Sequence, residues 1–340
     1  MKHKNISIFI PHAGCPYQCA FCNQKIITAQ EKLPHAEDVR KICSQAISEM
    51  SDISDTEIAF FGGSFTAIPE IYMLELLQAV QDFIGEDKFS GIRISTRPDC
   101  ITPEILEILK NYHVRAIELG AQSMSDQVLL ANHRGHTSED VRKSSELIKK
   151  SGFELGLQMM IGLYQSTWLD EEETKNQILK LHPDTVRIYP VVVLKHTRLA
   201  ELYQSGIYQL FSFQDVIRNS ARFMQSFQKA GIRVIKCGLH ASEFVEKDML
   251  AGFYHPAFRE LCENEIYRQN ILNAILAVSP ENRKNSYLVS VNSHCISKAT
   301  GQKKANLLYF SEYQKIKIKI IGDDNLKLYQ IKLTEESACI

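Results

Sequence analysis

ISIFIPHAGCPYQCAFCNQ, residues 6–24, joins a short apolar run to three cysteines at positions 15, 19 and 22. The apolar run at 6–10 predicts a strand, so the three thiols lie in the loop that follows it. The other six cysteines are scattered singly, which is typical of small buried residues in a chain without disulfides. The cluster at 15–22 therefore needs a separate explanation.

Short apolar runs alternate with longer segments of helical periodicity over the first two thirds of the chain. Strands are predicted at 7–10, 57–61, 92–96, 116–119, 155–160 and 185–188, and helices at 37–50, 71–84, 103–111, 138–150, 171–180 and about 215–230. A β-α unit repeated six times predicts a barrel or an open sheet of parallel strands. The chemistry of such folds lies in loops after the strands, which is where the cysteines are.

Composition narrows the class of protein. The 340 residues carry a net charge of −1, which argues against a protein that coats polyanions in general. No apolar run reaches the roughly 18 residues that would span a bilayer, so no membrane partner is expected. The apolar stretch near the N-terminus is too short for a signal peptide, and we expect a cytoplasmic protein.

The regular alternation of strand and helix patterns ends after residue 236. A strand is predicted at 287–291, and KIKIKII (315–321), GDDN and residues 326–333 predict a hairpin with Ile on one face and Lys on the other. We therefore expect a core at 1–236 and a small α+β extension at 237–340 that carries a Lys-rich hairpin. The segment between residues 301 and 333 contains seven lysines and three acidic residues. Such a lysine-rich segment is compatible either with binding RNA phosphates or with a solvated sheet edge.

Three readings of the cysteine cluster are open on spacing alone. A zinc site wants four ligands, usually in two pairs, and here only His12 could be a fourth. Three thiols without a shared function would be a coincidence, because cysteine is rare. An iron–sulfur cluster held by three thiolates leaves one iron open for a cofactor or substrate.

The third reading agrees with a known family. Cys15-x3-Cys19-x2-Cys22, with Phe21 before the last cysteine, resembles the signature of the radical S-adenosylmethionine (radical SAM) superfamily. The resemblance implies a partial (β/α)6 TIM-like barrel, a [4Fe–4S] cluster on these cysteines, and S-adenosylmethionine chelated to the open iron. One electron from the cluster would then cleave that cofactor to methionine and a 5′-deoxyadenosyl radical.

Other segments match the family at the ends of later strands. Gly62-Gly63-Ser64 resembles the motif that approaches the methionine amine, and Arg134 in HRGHTSED matches an arginine that meets the cofactor carboxylate. Ser95 stands where the related stretch ETRPD has an acid. Tyr164 and Gln165 depart from the family's usual Pro-Gly turn. The cofactor contacts implied are Phe21, Gly62, Gly63, Ser64, Ser95, Glu118, Gln122, Arg134 and Gln158.

Within the superfamily, GGSFT, STRPD, RGHTSED and RIYPVVVLKHTRLAELYQSGIY resemble the radical SAM core of the Elongator catalytic subunit. No Gly-rich acetyl-CoA loop is evident after residue 236, so the resemblance is to that core without its acetyltransferase domain. It implies RNA modification, with tRNA as a partner and flavodoxin or ferredoxin as electron donor.

Two alternatives to an RNA-modifying enzyme are open. One is a radical oxidase or maturase that acts on a small molecule or tetrapyrrole, as oxygen-independent coproporphyrinogen oxidase does. The other is a non-catalytic tRNA-binding module that keeps its cluster.

Overall fold

A computed structural model describes residues 4–11, 14–23, 32–53, 55–240 and 242–335 of the chain. The chain divides into two compact units, of which the first comprises Met1–Phe211 with Phe227–Tyr254 and the second Ser212–Ser226 with His255–Ile340. The predicted division at residue 236 stays a prediction. No helix in the described part of the chain is both long and apolar enough to cross a membrane.

The described residues of the first unit form nine strands. They are β1 (Lys4–Ile10), β2 (Thr56–Gly62), β3 (Gly91–Thr96), β4 (Val114–Gln122), β5 (Glu154–Ile161), β6 (Thr185–Pro190), β7 (Val192–Leu194), β8 (Arg233–Cys237) and β9 (Met249–Gly252). Seven of them form one sheet in the order β1-β2-β3-β4-β5-β6-β8, in which all neighbours are parallel. The short strands β7 and β9 pair antiparallel in a separate sheet.

Helices occupy most of the segments between these strands. They are α1 (Ala36–Glu49), α2 (Glu70–Ala79), α3 (Pro103–Asn111), α4 (Asp126–Ala131), α5 (Ser138–Lys150), α6 (Trp168–Leu181), α7 (Arg198–Gln204), α8 (Phe213–Lys229), of which residues 213–226 belong to the second unit, and α9 (Glu243–Asp248). The fold class is confirmed as an α/β partial barrel, and each of the six predicted strands lies within one of β1–β6. Strand β8 is a seventh, which the sequence did not indicate because charged residues flank its short apolar run.

The helix ends follow from local chemistry. Thr102 accepts a hydrogen bond from the amide of Ile105 at the start of α3, as the Thr-Pro pair predicts. A capping box of Thr167 and Asp170 starts α6 at Trp168, three residues before the predicted start. These two caps, worth about 1 kcal/mol each, start the helices that follow β3 and β5.

The second unit has its own small sheet. Its elements are α10 (Phe258–Ala277), β10 (Ser286–Val291), α11 (Ile296–Thr300), α12 (Ala305–Leu308), β11 (Lys317–Gly322) and β12 (Ile331–Glu335). The predicted strand at 287–291 is β10, which lies in the middle of the sheet order β11-β10-β12. Large buried side chains, among them Tyr267, Tyr287 and Phe310, fill its core.

The predicted Lys-rich hairpin is wrong. Strands β11 and β12 both pair with β10, the first parallel and the second antiparallel, and not with each other. The eight residues between them, 323–330, are longer than the two-to-five-residue loops typical of hairpins. The predicted alternation along β11 is nevertheless present, since Lys317 and Lys319 are exposed while Ile318 is buried.

Candidate functional site

The cysteine loop lies at the carboxyl end of β1. Cys19 is buried, Cys22 is half-buried and Cys15 is exposed, and all three line one cavity of about 150 Å³. Backbone hydrogen bonds fix the loop, since the amide of Ala20 donates to the carbonyl of Asn132 at 3.0 Å and the carbonyl of Ala20 accepts from Leu199 at 2.7 Å.

The three thiols line the same cavity without converging on a single point. Among the described residues, no three His, Cys, Asp or Glu side chains form a group that could hold one metal ion. In an iron–sulfur cluster each thiolate binds a different iron, so the ligands surround a body and not a point. His12, the fourth zinc ligand considered above, lies outside the described residues.

Two glycines allow the cysteine loop to lie against the turn after β2. Gly14 has φ +72°, and a Cβ there would stand 2.4 Å from the carbonyl oxygen of Ser64. Gly62 has φ +112°, and a Cβ there would stand 2.8 Å from the carbonyl oxygen of Ile10. The amide of Gly63 donates to that same Ile10 carbonyl at 2.8 Å. Only glycine tolerates both the backbone conformation and the close approach.

Ser64 belongs to the framework of the cavity wall. It is 2% exposed, and its hydroxyl lies 3.0 Å from that of Thr96 and accepts from the amide of Arg97 at 3.0 Å. The hydroxyl is thereby used to join the turn after β2 to the end of β3. It lines the cavity with its position already fixed.

Glu118 lies below the cavity and does not line it. Its carboxylate accepts from Arg187 at 2.5 and 2.8 Å, from Arg93 at 3.4 Å and from Gln158 at 2.9 Å. Burial would raise the pKa of Glu118, but Arg187 and then Arg93 outweigh it and hold that pKa below its usual range. Gln158 also donates to the hydroxyl of Ser95 at 3.0 Å, so the polar side chains of β3, β4 and β5 form one connected set.

Gln122 and Arg134 carry buried polar atoms that have no hydrogen-bond partner. Gln122 ends β4 with a left-handed φ of +64°, and its Oε1 is buried and unpaired. Arg134 donates from Nη1 to Cys19 Sγ at 3.1 Å and from Nη2 to the carbonyl of Gly120 at 2.7 Å, while its buried Nε has no partner. Both side chains line the cysteine cavity, where these atoms are available to a polar ligand.

Some residues of the cavity wall were not predicted. Arg97 stacks over Tyr17 at 5.0 Å and pairs with Asp99 through two hydrogen bonds of 2.9 Å. The signal was present in STRPD, but the sequence cannot show that Arg97 meets an aromatic ring of the cysteine loop. His136 is also buried nearby, where burial and then the charges of Arg134 and Arg97 lower its pKa to about 4.

A second cavity of about 550 Å³ lies inside the barrel. It shares a wall with the cysteine cavity through Phe21, Cys22, Gly62, Ser95, Gln122 and Gln158. Beyond that wall it extends past Met160 and Tyr189 to Lys236 and His240 near the end of β8. Its volume lies in the range of pockets that bind small molecules, roughly 300–1,000 Å³.

Of the twelve predicted site residues, eleven line the cysteine cavity, and Glu118 lies beneath it. The prediction from separate strand ends thus identified side chains and glycines that the fold brings together. What each residue binds is a separate question.

Comparisons with known proteins agree with this architecture. The family model of the radical SAM superfamily matches residues 9–178, and that of the radical SAM C-terminal domain matches residues 183–268. The chain resembles Elp3 of Methanocaldococcus infernus with a TM-score of 0.60 and 18% identity, covering 79% of this chain and 64% of that one. At this identity the likeness shows the fold.

Curated relatives point to the Elongator branch. An uncharacterized protein of Methanocaldococcus jannaschii is 30% identical over 223 residues, which cover 64% of this chain and 65% of that protein. The human Elongator complex protein 3 is 30% identical over 194 residues, 51% of this chain and 35% of that protein. The tRNA uridine(34) acetyltransferase of M. jannaschii is 32% identical over 148 residues, 42% of this chain and 27% of that protein.

The chain thus spans about two thirds of the first of these relatives and about a third or less of the other two. The resemblance to the radical SAM core of the Elongator subunit is confirmed. This superfamily uses S-adenosylmethionine and a [4Fe–4S] cluster. The chain belongs to the radical SAM superfamily and is a radical SAM enzyme.

Proposed function

We propose that this radical SAM enzyme modifies RNA, with tRNA as its substrate. The observation that carries the proposal is the wall shared by the cysteine cavity and the larger cavity inside the barrel. Because the two cavities share lining residues, a radical formed in the first cavity would lie next to a group held in the second.

Cys15, Cys19 and Cys22 would hold the [4Fe–4S] cluster. The donor set fits, because three thiols line one cavity and no fourth cysteine of the described residues lines it. When bound, the cluster and S-adenosylmethionine supply a 5′-deoxyadenosyl radical that removes hydrogen from the substrate. A low-potential one-electron donor such as flavodoxin or ferredoxin would reduce the cluster.

S-adenosylmethionine would lie against the unpaired polar atoms. The cofactor's amine and hydroxyl groups are donors that suit Gln122 Oε1, and its carboxylate is an acceptor that suits Arg134 Nε. Gly63 lines the cavity without a side chain, so the methionine portion could approach the backbone of this turn closely. Ser95 and Gln158 border both cavities and would lie at the ribose side, while Glu118 would orient Gln158 from below.

The substrate class follows from cavity size and from the relatives. A volume of about 550 Å³ holds one nucleoside-sized group, not a folded nucleic acid, so an RNA substrate would insert a single unstacked nucleotide. Aromatic side chains at the wall, Phe9, Phe21, Phe61 and Tyr189, provide faces on which a base can stack. The tRNA uridine(34) acetyltransferase of M. jannaschii, a partial relative, is named for such a substrate.

The second unit offers a basic surface for the rest of the RNA. Lys303, Lys304, Lys317 and Lys319 are exposed, and Lys303 and Lys304 both have left-handed backbone angles. Because phosphate binding releases condensed counterions, RNA affinity should fall with salt. Changing these four lysines and Lys315 to Gln should weaken tRNA binding and flatten the salt slope. Equal tRNA affinity for parent and variant across a salt series would exclude this surface.

The substrate test compares two classes of molecule. The anaerobically reconstituted protein is given S-adenosylmethionine, dithionite and either bulk tRNA or a set of small molecules that includes coproporphyrinogen. We expect tRNA to raise 5′-deoxyadenosine formation several-fold above the uncoupled rate and to leave a mass shift on one nucleoside. Stimulation by a small molecule but not by tRNA would contradict the proposal and support a radical oxidase or maturase.

A further inference from the structure

Arg134 is held rigidly against the cysteine loop. Its backbone amide donates to the carbonyl of Leu129 at 3.0 Å, and its Nη2 donates to the carbonyl of Gly120 at 2.7 Å. The neighbouring Asn132 carbonyl accepts from the amide of Ala20, which follows Cys19 directly. Arg134 is 7% exposed as a residue, and its hydrogen bonds hold the guanidinium beside Cys19.

The buried charge of Arg134 is not balanced by a carboxylate. Within the described part of the chain, Arg134 forms no ion pair with Asp or Glu, whereas nearby Arg97 is paired with Asp99. Its hydrogen bond to a side chain goes from Nη1 to Cys19 Sγ at 3.1 Å. A buried cation without an anion is costly, so an anionic group bound at Cys19 would stabilise Arg134.

We propose that Arg134 sets the reduction potential of the cluster through its hydrogen bond to the sulfur of Cys19. The inference rests on the proposed function, because it requires a cluster on the three cysteines. Reduction adds one electron from the external donor to the cluster and makes it more negative. A fixed positive charge and a hydrogen bond to a ligand sulfur stabilise the reduced form and raise the potential.

This role is separate from cofactor binding. It uses Nη1, which already points at Cys19, and leaves the unpaired Nε for an anionic group of S-adenosylmethionine. The effect on the potential should therefore be present before the cofactor is added. Arg134 acts through Cys19 and is a positioning and tuning residue.

The experiment is a redox titration of the anaerobically reconstituted protein without S-adenosylmethionine. The reduced cluster is measured at each potential by electron paramagnetic resonance. Arg134→Gln removes the charge, Arg134→Lys keeps it, and Arg142→Gln on α5 is the control because Arg142 is half-exposed, pairs with Glu139 and does not line the cavity. We expect Arg134→Gln to lower the equilibrium constant for reduction of the cluster at least tenfold, which corresponds to a fall in midpoint potential of about 59 mV for one electron. The Lys variant should shift less, and the control should not shift.

Each other outcome has a defined meaning. Equal midpoints for the parent and Arg134→Gln, with the same iron content, would overturn the proposal. Loss of iron from both Arg134 variants in a folded chain would also overturn it, since Arg134 would then be needed for assembly. A parent protein that binds no iron would instead refute the proposed function, and the tuning role with it.

Discussion

Two sets of buried polar residues lie in the same barrel and differ in how completely they are paired. In the ionic layer (Glu57, Arg93, Glu118, Glu154 and Arg187), Arg93 donates to Glu57 at 2.7 Å, to Glu154 at 2.8 Å and to Glu118 at 3.4 Å, and Arg187 takes the rest of Glu118. In the cysteine cavity, Gln122 Oε1 and Arg134 Nε are buried without partners. Native proteins rarely leave buried polar atoms unpaired, which supports the proposal that ligands complete the cysteine cavity, whereas the ionic layer is already paired.

The difference has an energetic meaning. A closed ionic network is destabilised when one member is removed, because the remaining charges stay buried. An unpaired acceptor carries its desolvation cost already, and replacing it with an apolar group of similar shape is nearly neutral or stabilising. Substitutions in the ionic layer should therefore lower the free energy of unfolding, whereas substitutions of the unpaired residues in the cysteine cavity should change it little or raise it.

The largest expected effect concerns the thiols. Cys19→Ala should abolish iron binding, from about four irons per chain to none, because two thiolates cannot anchor the cube. Cys43→Ala is the matched control, since Cys43 is fully buried in α1 and does not line the cavity. Iron analysis and visible absorbance after anaerobic reconstitution measure both. Retention of the cluster by the Cys19 variant would remove that residue from the ligand set.

The next effect separates the layers by stability. Arg93→Met should lower the free energy of unfolding by about 3–5 kcal/mol, because it removes the cation paired with the buried carboxylate of Glu57, whereas Arg187 still pairs with Glu118. Gln122→Met should change it by less than about 1 kcal/mol and should weaken binding of S-adenosylmethionine. Urea denaturation compares the two. A larger loss of stability for the Gln122 variant would reverse the assignment of the layers.

A third, smaller effect tests the turn after β2. Gly63→Val should leave iron content unchanged but weaken S-adenosylmethionine binding about tenfold, since a branched side chain obstructs the approach to the backbone. Arg134→Ala should weaken it less. Equilibrium binding to the reconstituted protein measures both. Unchanged affinity in both variants would mean that the cofactor lies elsewhere.

The smallest effect is a pH dependence. The pKa of buried His136 is lowered to about 4, from an ordinary value near 6.5. As the pH falls from about 6.5 toward 4, His136 is protonated in the unfolded chain but stays neutral in the folded one. The free energy of unfolding therefore decreases over this range. His136→Gln should flatten this part of the stability–pH curve, measured by urea denaturation. An equally steep curve for the variant would show that other groups cause the loss.

The sequence predicted most of the barrel because each of its first six strands has a distinct apolar run followed by a helical segment. It could not predict β8, whose five residues begin and nearly end with charges. The alternation of KIKIKII predicted which side chains of β11 are buried but not its partner, because strand pairing depends on the whole unit.

The candidate site shows the same limit. Motifs at strand ends could be found because parallel strands bring their carboxyl ends together. The stacking of Arg97 on Tyr17 and the contact of Arg134 with Cys19 join segments 80 and 115 residues apart. Such pairs leave no local signal, and only the structure separates unpaired polar atoms from paired ones.

The most direct test of the cysteine cavity as an incomplete site is the formation of 5′-deoxyadenosine. Protein purified and reconstituted without air is mixed with S-adenosylmethionine and dithionite, and the product is quantified beside the Cys19→Ala variant. We expect about four irons and 5′-deoxyadenosine for the parent, and neither for the variant. Stoichiometric zinc without iron in the parent, and no 5′-deoxyadenosine, would contradict it.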